Sequence, residues 1–114
     1  MTLDIHGAMQ RLGNDVALFQ EFIGFYQEDC PRILGSLETA VVAQDAEGVH
    51  NAAHSLKGLV ASLGATDVAA QAAALERSSR AGDLSDAPEG FAKLLTEIER
   101  LNQELAAFRE NAKN

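Results

Sequence analysis

Apolar residues recur at helical spacing along most of this 114-residue chain, and no segment shows the alternation typical of a β-strand. The longest stripe follows Asp15 and comprises Val16, Phe19, Ile23, Tyr26, Cys30, Ile33, Leu37 and Val41. A second, near-heptad stripe comprises Phe91, Leu94, Leu95, Ile98, Leu101, Leu105 and Phe108. A helix with such a stripe buries one face against other helices, so the pattern predicts an all-α protein.

Turn-forming residues divide the chain into helices. A short amino-terminal helix is predicted from Asp4 to Leu12, and Gly13-Asn14-Asp15 then provides a stop and a cap for a long helix. Pro31 lies inside that long helix and is expected to kink or break it, because proline removes a backbone hydrogen bond and crowds the preceding turn.

Three further helices complete the predicted chain. One runs from about Asp45 to Leu63 and ends at Gly64, and an alanine-rich helix begins at Thr66-Asp67 and ends within Arg80-Ala81-Gly82-Asp83. The last helix follows a loop that extends to Pro88. Four long helices with short connections predict an antiparallel up-down-up-down four-helix bundle with a short additional N-terminal helix, formed by one domain over residues 1–114.

Composition excludes several classes of partner. Nine Lys and Arg against seventeen Asp and Glu give a formal net charge of -8, which suits neither nucleic acid nor an anionic membrane surface. No stretch approaches the ~20 apolar residues of a membrane span, and the first residues lack the basic and apolar regions of a signal peptide. We therefore expect a cytoplasmic protein, and the lone Cys30 offers no internal disulfide.

His54 lies on the polar face of the third helix. Helical geometry places Lys57 and Gly58 on the same face as His54, opposite the apolar arc of Val49, Ala52, Leu56, Leu59, Val60 and Leu63. The sequence therefore predicts a solvent-facing imidazole. A glycine inside a helix lowers helix stability by roughly 1 kcal/mol relative to alanine. The presence of Gly58 one turn beyond His54 therefore indicates that space is needed there.

The segment Ala53-His54-Ser55-Leu56-Lys57-Gly58, with Gly64-Ala65 and then Leu75-Glu76, resembles the signature of histidine-containing phosphotransfer (HPt) domains of bacterial-type phosphorelays. The resemblance covers nearly all of the chain and implies a helical bundle. It also implies that His54 is the phospho-acceptor, that Lys57 assists the phosphate and that Gly58 clears space for the partner. The partners implied are receiver domains of response regulators or hybrid histidine kinases, which would supply the aspartate and the magnesium.

A neutral imidazole is a nucleophile toward phosphorus, and the labile phosphoramidate passes the group to a carboxylate. No Gly-rich nucleotide loop or acidic magnesium cluster lies near His54 in the sequence, so we expect a phosphoryl carrier that has no ATP-binding site and needs no cofactor of its own. Because four helices can close a bundle from one chain, we also expect a monomer.

Three alternatives stay open at this point. His50 and His54 at i and i+4, with Glu47 on the same face, could hold a metal ion, although Lys57 would repel a cation and no metal site is our expectation. A dimerising domain of a histidine kinase would have an acidic residue where Ser55 stands. A purely structural helical adaptor would make both histidines incidental. His50 is otherwise expected to hydrogen-bond or to shape the docking face.

A further apolar set widens the face of the long second helix: Leu18, Phe22 and Phe25. The favoured interpretation is that the amino-terminal helix packs on this flank through Ile5, Met9 and Leu12. Any part left exposed beside His54 would be a docking patch for a receiver domain.

Overall fold

A computed structural model describes residues 4–112, and side chains are described for residues 4–110. These residues form five α-helices and no strand: α1 (Ile5–Arg11), α2 (Val16–Val42), α3 (Ala46–Ala61), α4 (Thr66–Arg80) and α5 (Ala87–Ala112). The all-α prediction is confirmed for this range. The first three and last two residues of the predicted domain lie outside the described residues.

Helices α2 to α5 surround one apolar core. Helix α2 packs against α3 and α5, and α4 packs against the same two helices, with the most extensive contact between α3 and α4. The largest fully buried side chains come from all four helices and the α3–α4 turn: Phe19, Ile23, Tyr26, Leu37, Val49, Leu56, Val60, Leu63, Val68, Leu94, Leu101 and Leu105. The α3–α4 contact brings the polar face of α3 beside α4.

Aspartates cap three of the helices, and the cap at Asp15 was predicted from the sequence. The carboxylates of Asp4, Asp15 and Asp45 accept hydrogen bonds from the first turns of α1, α2 and α3. Gly64 follows α3 with a φ of +81°, and a Cβ at this position would lie 2.6 Å from the Asp4 carbonyl oxygen. Because the Asp4 N–H also donates to the Gly64 carbonyl at 2.9 Å, α1 is anchored to the α3–α4 turn.

Pro31 does not break α2, which runs from Val16 to Val42 without interruption. Of the two outcomes expected from the sequence, the break is wrong, and the kink stays a prediction. The pyrrolidine ring is exposed and needs no space in the core, whereas Cys30 and Ile33 on the same turns are buried. Burial of these neighbours offsets the single backbone hydrogen bond that proline removes.

Two residues of the predicted stripes do not belong to the core. Val16 is 46% exposed because it is the first residue of α2, and Leu95 is 41% exposed. Leu95 lies about 100° around the helix from Leu94, which is fully buried. In the last turns of α2, Ala40 is buried, and Val41 is partly buried and packs against the core, as predicted.

Candidate functional site

His54 lies on α3, and its side chain is 66% exposed, as the helical pattern predicts. Its neighbours Ala53 and Leu56 are fully buried and hold this turn of α3 against the core. The imidazole therefore stands on a rigid helix and faces solvent.

Glu76 of α4 is the partner that orients this imidazole. Its side chain is only 9% exposed, and its carboxylate accepts a hydrogen bond from His54 Nδ1 at 3.0 Å through Oε2. Lys57 Nζ lies 3.1 Å from Oε1 and 3.0 Å from Oε2 of the same carboxylate. The guanidinium of Arg80 lies 3.8 Å from Oε1. One buried carboxylate thus collects three basic side chains.

The hydrogen bond from Lys57, followed in size by the hydrogen bond from His54, lowers the pKa of Glu76 below its ordinary value. Together these two bonds outweigh the opposing effect of burial. Glu76 is therefore ionised at neutral pH, and an ionised carboxylate only accepts hydrogen bonds. It follows that Nδ1 of His54 carries the proton in this contact. In a neutral His54 the lone pair then lies on Nε2, the ring nitrogen on the far side from Glu76.

Gly58 leaves the space beside His54 open. No atom lies within 4 Å of the place where a Cβ on Gly58 would stand, and the residue is exposed. This glycine is therefore not a close helix-packing contact, in contrast to Gly48, whose Cβ would lie 2.9 Å from that of Ala40.

His50 stands one turn before His54. The two rings are nearly parallel, with an interplanar angle of 16° and centroids 6.4 Å apart. Nδ1 of His50 lies 3.3 Å from the backbone carbonyl oxygen of Glu76. Within residues 4–112, no cluster of three or more His, Cys, Asp or Glu residues could hold a metal ion, so Glu47 gains no support as a third ligand.

The apolar flank of α2 is covered only in part. Phe22 is partly buried and packs against the core, as do Ile5, Met9 and Leu12, the α1-side residues predicted to cover this flank. Leu18 is half-buried, but Phe25 is 56% exposed. Phe25 is therefore a part of this flank that is left exposed.

Residues 21–109 match the family described as the Hpt domain. The chain belongs to the Hpt family. This Hpt domain also resembles the crystal structure of histidine-containing phosphotransfer protein B (HptB) from Pseudomonas aeruginosa PAO1, with a TM-score of 0.88, 25% sequence identity and coverage of 96% of each chain. No curated protein matches it by sequence. The predicted family is confirmed, and the Hpt domain acts in histidine phosphotransfer within a phosphorelay.

Sequence reasoning brought His54, Lys57 and Gly58 together correctly but assigned no role to Glu76. Glu76 follows Leu75 on α4, 22 residues beyond His54. Helical spacing within α3 therefore cannot indicate the contact between the two residues. The available signal was an acidic residue directly after a core leucine in the matched motif.

No described helix is long and apolar enough to cross a membrane.

Proposed function

We propose that Nε2 of His54 accepts a phosphoryl group from the aspartyl phosphate of one receiver domain and passes it to an aspartate of another. The observation that carries this proposal is an imidazole held on Nδ1 by a buried carboxylate and open on Nε2. An exposed histidine without such a partner would sample both tautomers and many orientations.

The transfer step needs few groups from this chain. The lone pair of Nε2 attacks phosphorus, the N–P bond forms, and the P–O bond to the donor aspartate breaks to release a carboxylate. His54 keeps its Nδ1 proton, which Glu76 holds throughout at a fixed position. The ring gains positive character as the N–P bond forms, and the adjacent Glu76 charge favours that change.

Lys57 assists the phosphoryl group in this proposal. Its side chain is 35% exposed, and its ammonium lies 3.0 Å from a Glu76 oxygen, one turn from the His54 ring. A flexible lysine at this position reaches outward to a phosphoryl oxygen while Arg80 remains near Glu76. Lys57 would contact the Glu76 carboxylate when His54 is unphosphorylated and the phosphoryl group when His54 is phosphorylated.

Gly58 and the exposed part of α2 provide the approach for the partner. The open space at Gly58 admits the receiver backbone close to Nε2, as in-line attack requires.

Phe25 supplies an exposed aromatic anchor on the helix that packs against α3. Replacing Phe25 by serine should raise the receiver concentration needed for half-maximal transfer. An unchanged value would remove Phe25 from the docking face.

Other parts of the assignment belong to the same proposal. We propose a single-domain, monomeric and cytoplasmic phosphoryl carrier without its own ATP site. Its partners are receiver domains of response regulators or hybrid histidine kinases, which supply the magnesium. The ring of contacts among α2, α3, α4 and α5, with short connections, supports an antiparallel up-down-up-down bundle, to which α1 is added.

Phosphotransfer profiling tests the proposal directly. The protein is incubated with a panel of phosphorylated receiver domains, and the label on it is followed with time. We expect rapid transfer from a small subset of receivers to a label that is labile in acid and stable in base, as for a phosphoramidate. An acid-stable, base-labile label, or no transfer from any receiver, would refute the proposal.

A further inference from the structure

His50 contacts the same residue as His54, but through the backbone rather than the side chain. Its Nδ1 lies 3.3 Å from the Glu76 carbonyl oxygen, which can only accept, so Nδ1 of His50 is the donor. We propose that His50 is a positioning residue: it holds the backbone of Glu76 and thereby keeps His54 in the tautomer that leaves Nε2 open. This inference rests on the function proposed above.

Three side chains of α3 hold one residue of α4 from both ends. His50 holds the Glu76 carbonyl, while His54 and Lys57 hold its carboxylate. The Glu76 carbonyl also accepts from the Ser79 hydroxyl at 3.0 Å, but Ser79 belongs to α4 itself. Of these two side-chain bonds to the carbonyl, only the one from His50 ties α4 to α3.

Both imidazoles have the same tautomer because both present Nδ1 to an acceptor on Glu76. The small angle of 16° between the rings agrees with this shared arrangement. His54 depends on a contact of 3.0 Å to Glu76, and a shift of about 1 Å in the α4 backbone would take that contact beyond hydrogen-bonding distance. His54 would then also populate the tautomer with the proton on Nε2, which has no outward lone pair for attack.

The test uses variants that separate the hydrogen bond from the ring. His50→Phe keeps an aromatic ring without a donor, and His50→Ala removes both without requiring space for a ring. His50→Gln replaces the ring with a side chain that still donates. Ser79→Ala is the matched control, because it removes a donor to the carbonyls of Leu75 and Glu76 on its own helix without removing a hydrogen bond between helices.

Two readouts are measured on each variant. The first is the tautomer of His54, read from its ring nitrogen shifts by NMR on the protein alone at pH 8. The second is phosphotransfer from a cognate receiver, separated into the rate at saturation and the half-saturating receiver concentration.

We expect His50→Phe and His50→Ala to increase the Nε2–H tautomer of His54 and to slow saturated transfer by roughly three- to tenfold. The half-saturating concentration should not change, and His50→Gln and Ser79→Ala should resemble the parent. An unchanged His54 tautomer in both donor-free variants would overturn the inference. So would a loss confined to receiver affinity, which would place His50 on the docking face instead.

The tautomer measurement needs no receiver, so the two proposals fail separately. If the parent accepts no phosphate from any receiver, the proposed function fails whatever the tautomer. If the parent transfers normally and the donor-free variants keep both tautomer and rate, the role of His50 alone fails.

Discussion

Polar side chains connect α3 with α4 and also α2 with α5, and we propose that the α3–α4 network forms the phosphotransfer site. Between α3 and α4, Glu76 holds His54 and Lys57. Between α2 and α5, the Tyr26 hydroxyl donates to Asn102 Oδ1 at 2.7 Å. Arg109 extends this second network by donating to Gln20 and Gln27. Both networks join residues that are far apart in sequence.

The networks differ in whether the hydrogen-bonded side chain keeps an exposed atom that can react. Tyr26 is buried, and its hydroxyl proton is donated to Asn102. His54 is bound through one ring nitrogen and is 66% exposed, so its other nitrogen faces solvent. In the proposed function, the contact between α3 and α4 forms a reactive site because it orients His54 and leaves Nε2 free.

Charge differs between the networks in the same way. Burial raises the pKa of Tyr26, so its phenol stays a neutral donor at physiological pH. Cationic partners lower the pKa of Glu76, so its carboxylate stays charged. A charged carboxylate beside an imidazole favours the positive character that phosphorylation brings, whereas a neutral phenol serves packing.

Replacing His54 by glutamine gives the largest expected effect. Transfer from a phosphorylated receiver should be abolished, because glutamine has no nucleophilic ring nitrogen. The melting curve should hardly move, since an exposed side chain contributes little to packing. Radiolabelling and circular dichroism on one preparation check both outcomes. Labelling that persists, or that maps to His50, would contradict the assignment.

Bulky substitutions at Gly58 come next. Gly58→Leu and Gly58→Glu should reduce transfer steeply by blocking the approach to Nε2, while both proteins still fold because the site is open. Gly58→Ala should raise the free energy of unfolding by up to roughly 1 kcal/mol. Transfer rates and melting temperatures of all three variants provide the check. Bulky variants that transfer as fast as the parent would show that Gly58 clears no space.

Glu76→Gln should slow transfer several-fold, because a neutral amide oxygen accepts the Nδ1 hydrogen bond of His54 more weakly than a carboxylate and no longer favours the charged ring. The lowered pKa of Glu76 adds a pH signature. Its stabilising contribution is complete above the ordinary carboxyl pKa of about 4.3 and is lost as pH falls through the lowered pKa of the folded state.

Chemical denaturation at neutral and acidic pH measures this effect. The parent should exceed Glu76→Gln in stability at pH 7, and the difference should shrink well below pH 4. A difference that is the same at both pH values would mean that the Glu76 charge does not stabilise the fold.

Lys57→Ala should have a smaller effect. Transfer or the phosphohistidine lifetime should fall by no more than about fivefold, because an ammonium at this exposure is hydrated and screened. Stability should fall only slightly, since His54 and Arg80 remain as partners of Glu76. Rates and lifetimes at low and moderate salt provide the measurement. Equal values for the two proteins would leave Lys57 without a role in transfer.

Tyr26→Phe should have the smallest effect on transfer and so sharpens the comparison. Loss of the bond to Asn102 should lower the free energy of unfolding by about 1 kcal/mol, because a buried donor is removed without leaving a cavity. Phosphotransfer should be unchanged. A slower transfer in this variant would show that the α2–α5 network also supports the site.

The sequence predicted the helices well because their signals are local. Asp15 caps α2 as expected, α3 begins next to the predicted start at Asp45, and the α3 pattern placed His54 in solvent. The break considered at Pro31 does not occur, because a local rule ignores burial of the flanking turns. Leu95 was misjudged because an apolar residue beside a stripe reaches the core only if a neighbouring helix covers it.

The sequence by itself determined which residues share the reactive face of α3, because helical periodicity alone places His54, Lys57 and Gly58 together. Only the tertiary structure decided which nitrogen of His54 is open. That choice depends on Glu76 of α4, whose carboxylate holds the proton on Nδ1 of His54 on α3. Periodicity fixes directions around one helix, whereas a tautomer depends on what the neighbouring helix presents at about 3 Å.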